Sequence, residues 1–267
     1  MSDDAAPLAT IELDVEDGVA RLTLNRPAAA NTINVQLAED LLAAANRLHD
    51  RDDVRVVLLS GRGDRFCAGG DLASFAEAGD DLGEHLERVV ASLHPAILRL
   101  LVLDAPLIAA VQGSAAGAGF SLACAADLVI AAESARFVLA YSAVGLTPDG
   151  SGSWFLPRIV GLGRALDMAL TNRVLTAAEA EAWGIVSRVV PDDQLASEAE
   201  ALALRLAGGP SMTLGRTRRL LHDSYARSLP DQLDEEQRAL RAAGDRADGR
   251  EGIAAFLEKR PPSFEGG

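Results

Sequence analysis

Phe66-Cys67-Ala68-Gly69-Gly70-Asp71-Leu72 is the stretch from which the fold can be read. It follows the apolar run Val54-Arg55-Val56-Val57-Leu58-Leu59. A buried strand therefore leads into a bend of small residues, then an acid and a fresh apolar residue. Such a bend brings bare backbone N–H groups up to a ligand. Glycine and alanine put no bulk in the way, so a carbonyl oxygen can approach the amides closely. Amides held this way stabilise developing negative charge.

A second bend of the same kind is Gly113-Ser114-Ala115-Ala116-Gly117-Ala118-Gly119. It lies between a strand predicted over Leu107 to Val111 and a helix predicted over Phe120 to Ala125. Two such bends place one N–H each on a shared oxygen, and the second adds the positive end of a helix dipole. Taken singly, each bend also reads as tight helix–strand packing that needs glycine for space. The second run lacks the third glycine and the later acid of a dinucleotide-binding fingerprint.

Outward from these bends, strands and helices alternate. Thr10 to Val15 and Val19 to Leu24 read as a hairpin around Asp17-Gly18. Val35 to Leu48 carries apolar residues at helical spacing. Asp81 to Leu103 reads as a long helix, with Pro95 predicting a kink or break. Leu128 to Ala131 is a strand, Phe155 to Val160 and Arg164 to Leu170 are helical, and Thr176 with Glu179 forms a capping box. From Gln194 onward the pattern is only helical: Leu195 to Ala207, Met212 to Ser224, Leu229 to Ala243 and Gly252 to Glu258. A mixed α/β body with a helical C-terminal extension follows. The division falls at residues 1–195 and 196–267, and the tail from Arg260 to Gly267 reads as a frayed end.

The bulk numbers bound the function. The chain has 267 residues, 49% hydrophobic and 24% charged, which is an ordinary globular composition. Its net charge of -14 argues against a nucleic-acid or anionic-membrane partner. Cys67 and Cys124 sit among small apolar residues and read as reduced core thiols. Met1 to Pro7 lacks the basic and apolar regions of a signal peptide, and no apolar run is long enough to span a bilayer. A cytoplasmic protein is expected.

Candidate chemistry centres on Asp149 in Thr147-Pro148-Asp149-Gly150-Ser151-Gly152. Pro-Asp-Gly is a turn signal, and Asp149 reads either as a cap for a helix starting near Ser153 or as a carboxylate held beside a pocket. In the second case partial desolvation suits it to general base work. His94, alone on its helix, reads by default as a surface or capping residue, and Tyr141 and Trp154 as core aromatics. The histidines and cysteines are too scattered for a metal site. Ser114 and Ser121 lack the context of a nucleophile.

These pieces together resemble the enoyl-CoA hydratase/isomerase, or crotonase, family nearly end to end. Asn25-Arg26-Pro27 with Asn31-Thr32-Ile33-Asn34 is similar to its first loop. Phe66 to Leu72 and Val111 to Gly119 are similar to its two oxyanion loops. Leu170 to Arg173, Ala180 to Gly184 and Val186 to Val190 are similar to its later core, and Phe256 to Phe264 to its C-terminal signature. The resemblance implies a spiral of β-β-α turns, with a helical C-terminal region that builds trimers and hexamers of two trimers. It implies a coenzyme A thioester as ligand, with no cofactor beyond the coenzyme A of the substrate. The N–H groups of Gly70 and Ala118 fall at the oxyanion-hole positions. Arg26, Ala28, Ala68, Asp71 and Leu72 fall where the family contacts coenzyme A, and Arg26, Arg62 and Arg65 supply a basic spot beside that loop.

The departures bear on the reaction. Where family hydratases carry two glutamates, this chain has Ser121 and Tyr141, neither a carboxylate base. Asp149 falls where some family isomerases carry a single catalytic aspartate, and Tyr141 falls beside the substrate. The expected activity is an enoyl-CoA double-bond shift. Three other readings stay open. The 4-halobenzoyl-CoA dehalogenases of the family carry an aspartate nucleophile at the place of Asp149 and a histidine base near that of His94. A hydratase with atypical residues and a non-catalytic thioester-binding protein are the others.

Overall fold

The computed structural model describes residues 7–266, so the reading of the N-terminal segment and that of the final glycine fall outside the described residues. Alternating residues around Asp17-Gly18 build the hairpin of β1 (Ile11–Glu16) and β2 (Val19–Leu24), paired antiparallel. Helix α1 (Val35–His49) starts where the Asn34 side chain accepts the Leu37 N–H, a cap that satisfies one orphan donor of the first turn.

Three passes of chain then repeat one plan. β3 (Val56–Gly61) leads to a bridge at Cys67 and to helix α2 (Leu72–Glu77), which the sequence reading had not foreseen, and on to α3 (Leu82–Val102). β4 (Leu107–Val111) leads to β5 (Ser114–Ala116) and α4 (Ala118–Ala125). β6 (Leu128–Ala132) leads to β7 (Arg136–Val138) and, after a loop, to α5 (Gly152–Val160). β3, β4 and β6 lie parallel in one sheet, while Cys67, Ala115 and Phe137 pair side by side in a second. The result is the expected spiral of β-β-α turns. Helix α6 (Leu162–Thr171), β8 (Leu175–Thr176), α7 (Ala177–Ala182) and β9 (Arg188–Val190) complete the body. The large sheet has the order β1-β2-β3-β4-β6-β9 and the small one β5-β7-β8.

Strand residues alternate between two cores, as period-two side chains must. Val57, Leu59, Ala109, Val111 and Val129 face the larger core under α1 and α3. Val56, Leu58, Ile108, Ala110 and Ile130 face Leu195, Ala199, Leu202 and Ala203 of α8 (Leu195–Ala207). Burial on both faces explains why these strands read as nearly continuous apolar runs. The chain ends in α9 (Ser211–Asp223), α10 (Leu229–Gly244) and α11 (Ala247–Glu258).

Four expectations need correction. α3 runs unbroken through Pro95, because Pro95 and Ala91, whose carbonyl loses its partner, both lie on the exposed side. The second small-residue bend is not all bend: Ser114–Ala116 is strand β5, and α4 begins at Ala118 rather than Phe120. Trp154 is not a core aromatic; it is 51% exposed, with the Arg158 guanidinium stacked 3.4 Å above its ring. The tail is pinned rather than frayed up to Gly266, since the buried Asp248 carboxylate accepts the Glu265 and Gly266 N–H groups at 2.8 and 2.9 Å.

Candidate active site

The first loop is shaped by Asn31, a fully buried residue in left-handed conformation (φ 55°), which asparagine tolerates. Its amide donates to the carbonyls of Arg62, Arg65 and Phe66, and its Oδ1 accepts the Arg26 N–H at 2.8 Å. Arg26 Nη1 in turn bonds Asp71 Oδ2 at 2.9 Å. Burial disfavours charge on Asp71, but the hydrogen bonds from Arg26 and the Ser74 N–H outweigh it and hold the carboxyl below its usual range. Asp71 also caps α2. Cys67, fully buried beneath the loop, has its thiol pushed up to about 12 by burial. It and Cys124 are both free thiols.

The two small-residue loops touch. A Cβ on Gly69 would lie 3.5 Å from the Gly117 Cα. Both glycines have positive φ, 97° and 50°, so each position favours glycine for its backbone as well as for its space. Gly70 and Ala118 follow them directly and line one cavity of ≈ 370 Å³. Neither the Gly70 nor the Ala118 N–H donates to any group among the described residues. Ala118 is the first residue of α4, where an N–H has no partner within the helix.

The rest of the cavity is largely apolar. Leu86, Val89, Val90 and Leu93 of α3 form one wall, Leu72 and Phe75 of α2 another, and Tyr141, Val144 and Asp149 close it. The wall from α3 lies on the apolar side of the predicted helix, but nothing in its spacing distinguished cavity from core. Two carboxylates, Asp149 and Glu87, are the charged groups of the lining.

Asp149 does not cap a helix. α5 starts at Gly152 with no side-chain cap, and only the Asp149 backbone carbonyl takes part, accepting the Gly152 N–H at 3.1 Å. Its carboxylate is held from the side: the Tyr141 hydroxyl donates to Oδ1 in a short hydrogen bond. The Tyr141 oxygen lies 3.4 Å from Ser121 Oγ. Burial, and then the Asp149 charge, push the Tyr141 phenol far above its ordinary value, so it remains a donor. His94 Nε2 lies 3.8 Å from Asp149 Oδ2 and accepts the Gly150 N–H at 3.4 Å. His94 is thus not the isolated surface residue its default reading gave.

The structure therefore brings Gly70, Ala118, Ala68, Leu72, Tyr141 and Asp149 to one cavity. His94 and Ser121 stand behind Asp149 and Tyr141, off the cavity wall. Arg26, Ala28 and Asp71 do not line it; Arg26 and Asp71 neutralise each other, and Ala28 sits exposed in the turn Pro27–Ala29. The expected basic spot is likewise reduced, because Arg62 pairs with Glu12. Asn31 carries more of the loop than its place in a motif announced.

Fold and site define a class: an α/β spiral that offers two unpaired backbone N–H groups and one held carboxylate to a shared apolar cavity. The model for "Enoyl-CoA hydratase/isomerase" matches residues 14–267. The 1,2-epoxyphenylacetyl-CoA isomerase of Escherichia coli is 43% identical over 256 residues, covering 94% of this chain and 97% of that protein. A probable enoyl-CoA hydratase of Rhodobacter capsulatus is 41% identical, covering 96% and 98%. A crystal structure of an enoyl-CoA hydratase/isomerase from Mycobacterium abscessus superposes with a TM-score of 0.93 at 34% identity, covering 96% of this chain and 100% of that one. The chain belongs to the enoyl-CoA hydratase/isomerase family, and its fold is the crotonase fold.

Proposed function

We propose that this protein is an enoyl-CoA double-bond isomerase in which Asp149 is the single acid/base. One observation carries the reading: within one apolar cavity, a single held carboxylate stands with two loops whose Gly70 and Ala118 N–H groups lack acceptors. A thioester carbonyl oxygen takes both N–H groups. Negative charge moving onto that oxygen is stabilised there, and the adjacent C–H becomes acidic. Asp149 removes a proton from C2 of a 3-enoyl thioester, and the electron pair delocalises over the dienolate and its oxygen. Asp149 then returns the proton to C4, leaving a C2=C3 double bond and the carboxylate as it began. No water is added and no cofactor is consumed; coenzyme A belongs to the substrate, with Ala68 and Leu72 beside it. Arg26 and Asp71 act by holding the loop, and Ala28 lies at its outer edge.

The isomerase named among the relatives supports a double-bond or ring rearrangement over hydration. So does position 121, where a fully buried serine stands in place of a hydratase glutamate. The test is conversion of 3-hexenoyl-CoA to the conjugated 2-enoyl thioester, followed by ultraviolet absorbance. Asp149→Asn is expected to lower kcat by about 10³, within the range for losing a general acid/base. Unchanged turnover overturns the reading. A second reading rests on His94 beside Asp149: attack of Asp149 on a 4-halobenzoyl thioester, with halide leaving and His94 activating water for hydrolysis of the aryl ester. Mass spectrometry of enzyme stalled with 4-chlorobenzoyl-CoA shows or excludes that ester. In either case the exposed apolar faces of α10 and α11 fit a trimer or a hexamer of two trimers.

A further inference from the structure

Positions 121 and 141 have a use of their own in this chain. Their side chains form a line, Ser121 to Tyr141 to Asp149, running from the buried interior of α4 to the cavity. Ser121 has no exposed surface, and Gly150 and Gly152 press against it from the turn that carries Asp149. With the Tyr141 proton committed to Asp149 Oδ1, the Ser121 hydroxyl is the donor across the 3.4 Å to the Tyr141 oxygen. On the other side, His94 Nε2 accepts the Gly150 N–H, which uses its lone pair, and stands 3.8 Å from Asp149 Oδ2, beyond hydrogen-bond reach. One carboxylate oxygen is tied and the other is not.

We propose that Tyr141, backed by Ser121, is the positioning residue for Asp149: it ties Oδ1, fixes the plane of the carboxylate, and leaves Oδ2 as the oxygen that carries the proton between C2 and C4. The inference rests on the isomerase reading of Asp149. Its physics is that of a charge-assisted hydrogen bond. Fixing the carboxylate keeps both carbons within reach of one oxygen, which is the orientation a two-step proton shift needs. The bond also favours the charged form that must take up the proton. The groups facing Asp149 are Tyr141 from the loop after β7 and His94 from α3, with Ser121 of α4 behind Tyr141. Glu87 of α3 is the other carboxylate on the cavity wall.

The experiment compares pH profiles of 3-hexenoyl-CoA isomerisation for wild type, Tyr141→Phe, Ser121→Ala and Asp149→Asn. Without the phenol the carboxylate is easier to protonate, so the acid limb of the Tyr141→Phe profile moves to higher pH by about one unit. Its kcat falls about tenfold while KM stays within about twofold, the pattern of an interaction used in the reaction rather than in binding. Ser121→Ala moves the limb the same way by less, and supplies the readout if Tyr141→Phe does not fold. A limb that stays in place in both variants, or an equal loss at every pH, overturns the proposal while Asp149→Asn remains inactive. Wild-type turnover by Asp149→Asn, or none by the wild type, overturns the isomerase reading and this proposal with it.

Discussion

Position 121 shows how a single side chain closes one chemistry and serves another. A glutamate there has no room: Ser121 is fully buried, a Cβ at Gly152 would collide with its Oγ, and one at Gly150 would come within 3.3 Å of its Cβ. Ser121→Glu forces both overpacking and a buried carboxylate with no cation beside it. The variant is expected to lose about 3 kcal/mol of stability or more in urea unfolding. It is also expected to gain no water addition to a 2-enoyl-CoA, measured by product analysis. Water addition at family-hydratase level would show that the site still accommodates the missing acid.

Among the elements, α9 is fastened to the sheet by one buried ion pair. Arg218, buried, donates to the Asp127 carboxylate through Nε and to the carbonyls of Leu101 and Leu103 through Nη1. Asp127 also accepts the Leu107 N–H at the start of β4 and the His222 ring at 2.9 Å. Burial opposes its charge, but His222, Arg218 and the Leu107 N–H together hold its carboxyl below the usual range. A lowered folded value means stability that is complete above the unfolded value of about 3.9 and lost as pH falls through the folded one. Urea unfolding against pH is expected to show that acid loss in the wild type and a shallower one in Asp127→Asn. Arg218→Met leaves the carboxylate buried and without its main cation, which costs about 3–5 kcal/mol near neutral pH. A loss under 1 kcal/mol there would mean that the pair fastens nothing.

At the scale of the molecule, the last two helices present apolar side chains with no partner in the chain. Leu240, Ile253, Phe256 and Leu257 are each more than half exposed, Phe256 at 82%. Clusters of this kind mark surfaces that other chains cover. Analytical ultracentrifugation is expected to give a trimer or a multiple of it for the wild type, and smaller species for Phe256→Asp. A monomeric wild type would refute the assignment of that face. Among the described residues no helix is long and apolar enough to cross a membrane.

The sequence by itself determined the order of strands and helices, the two amide-bearing loops and the family. These depend on local pattern: alternation in β1 and β2, apolar runs in β3, β4 and β6, glycine at Gly69 and Gly117, and the capping box at Thr176. Pattern could not tell the apolar side of α3 as cavity wall from the same side as core, because Leu86 and Val90 pack as any core residue would until the loops opposite stop short of them. Nor could it see that Trp154 faces outward, or that Arg26 and Asp71 neutralise each other. The candidate acid/base shows the difference most plainly. Asp149 stood in a turn that equally suited a helix cap. Tertiary structure decided otherwise, because Tyr141, eight residues before it in the chain, and His94 on a distant helix converge on its carboxylate. Contacts between residues far apart in sequence leave no local signature, so which oxygen is tied and which is open is set only when the spiral closes.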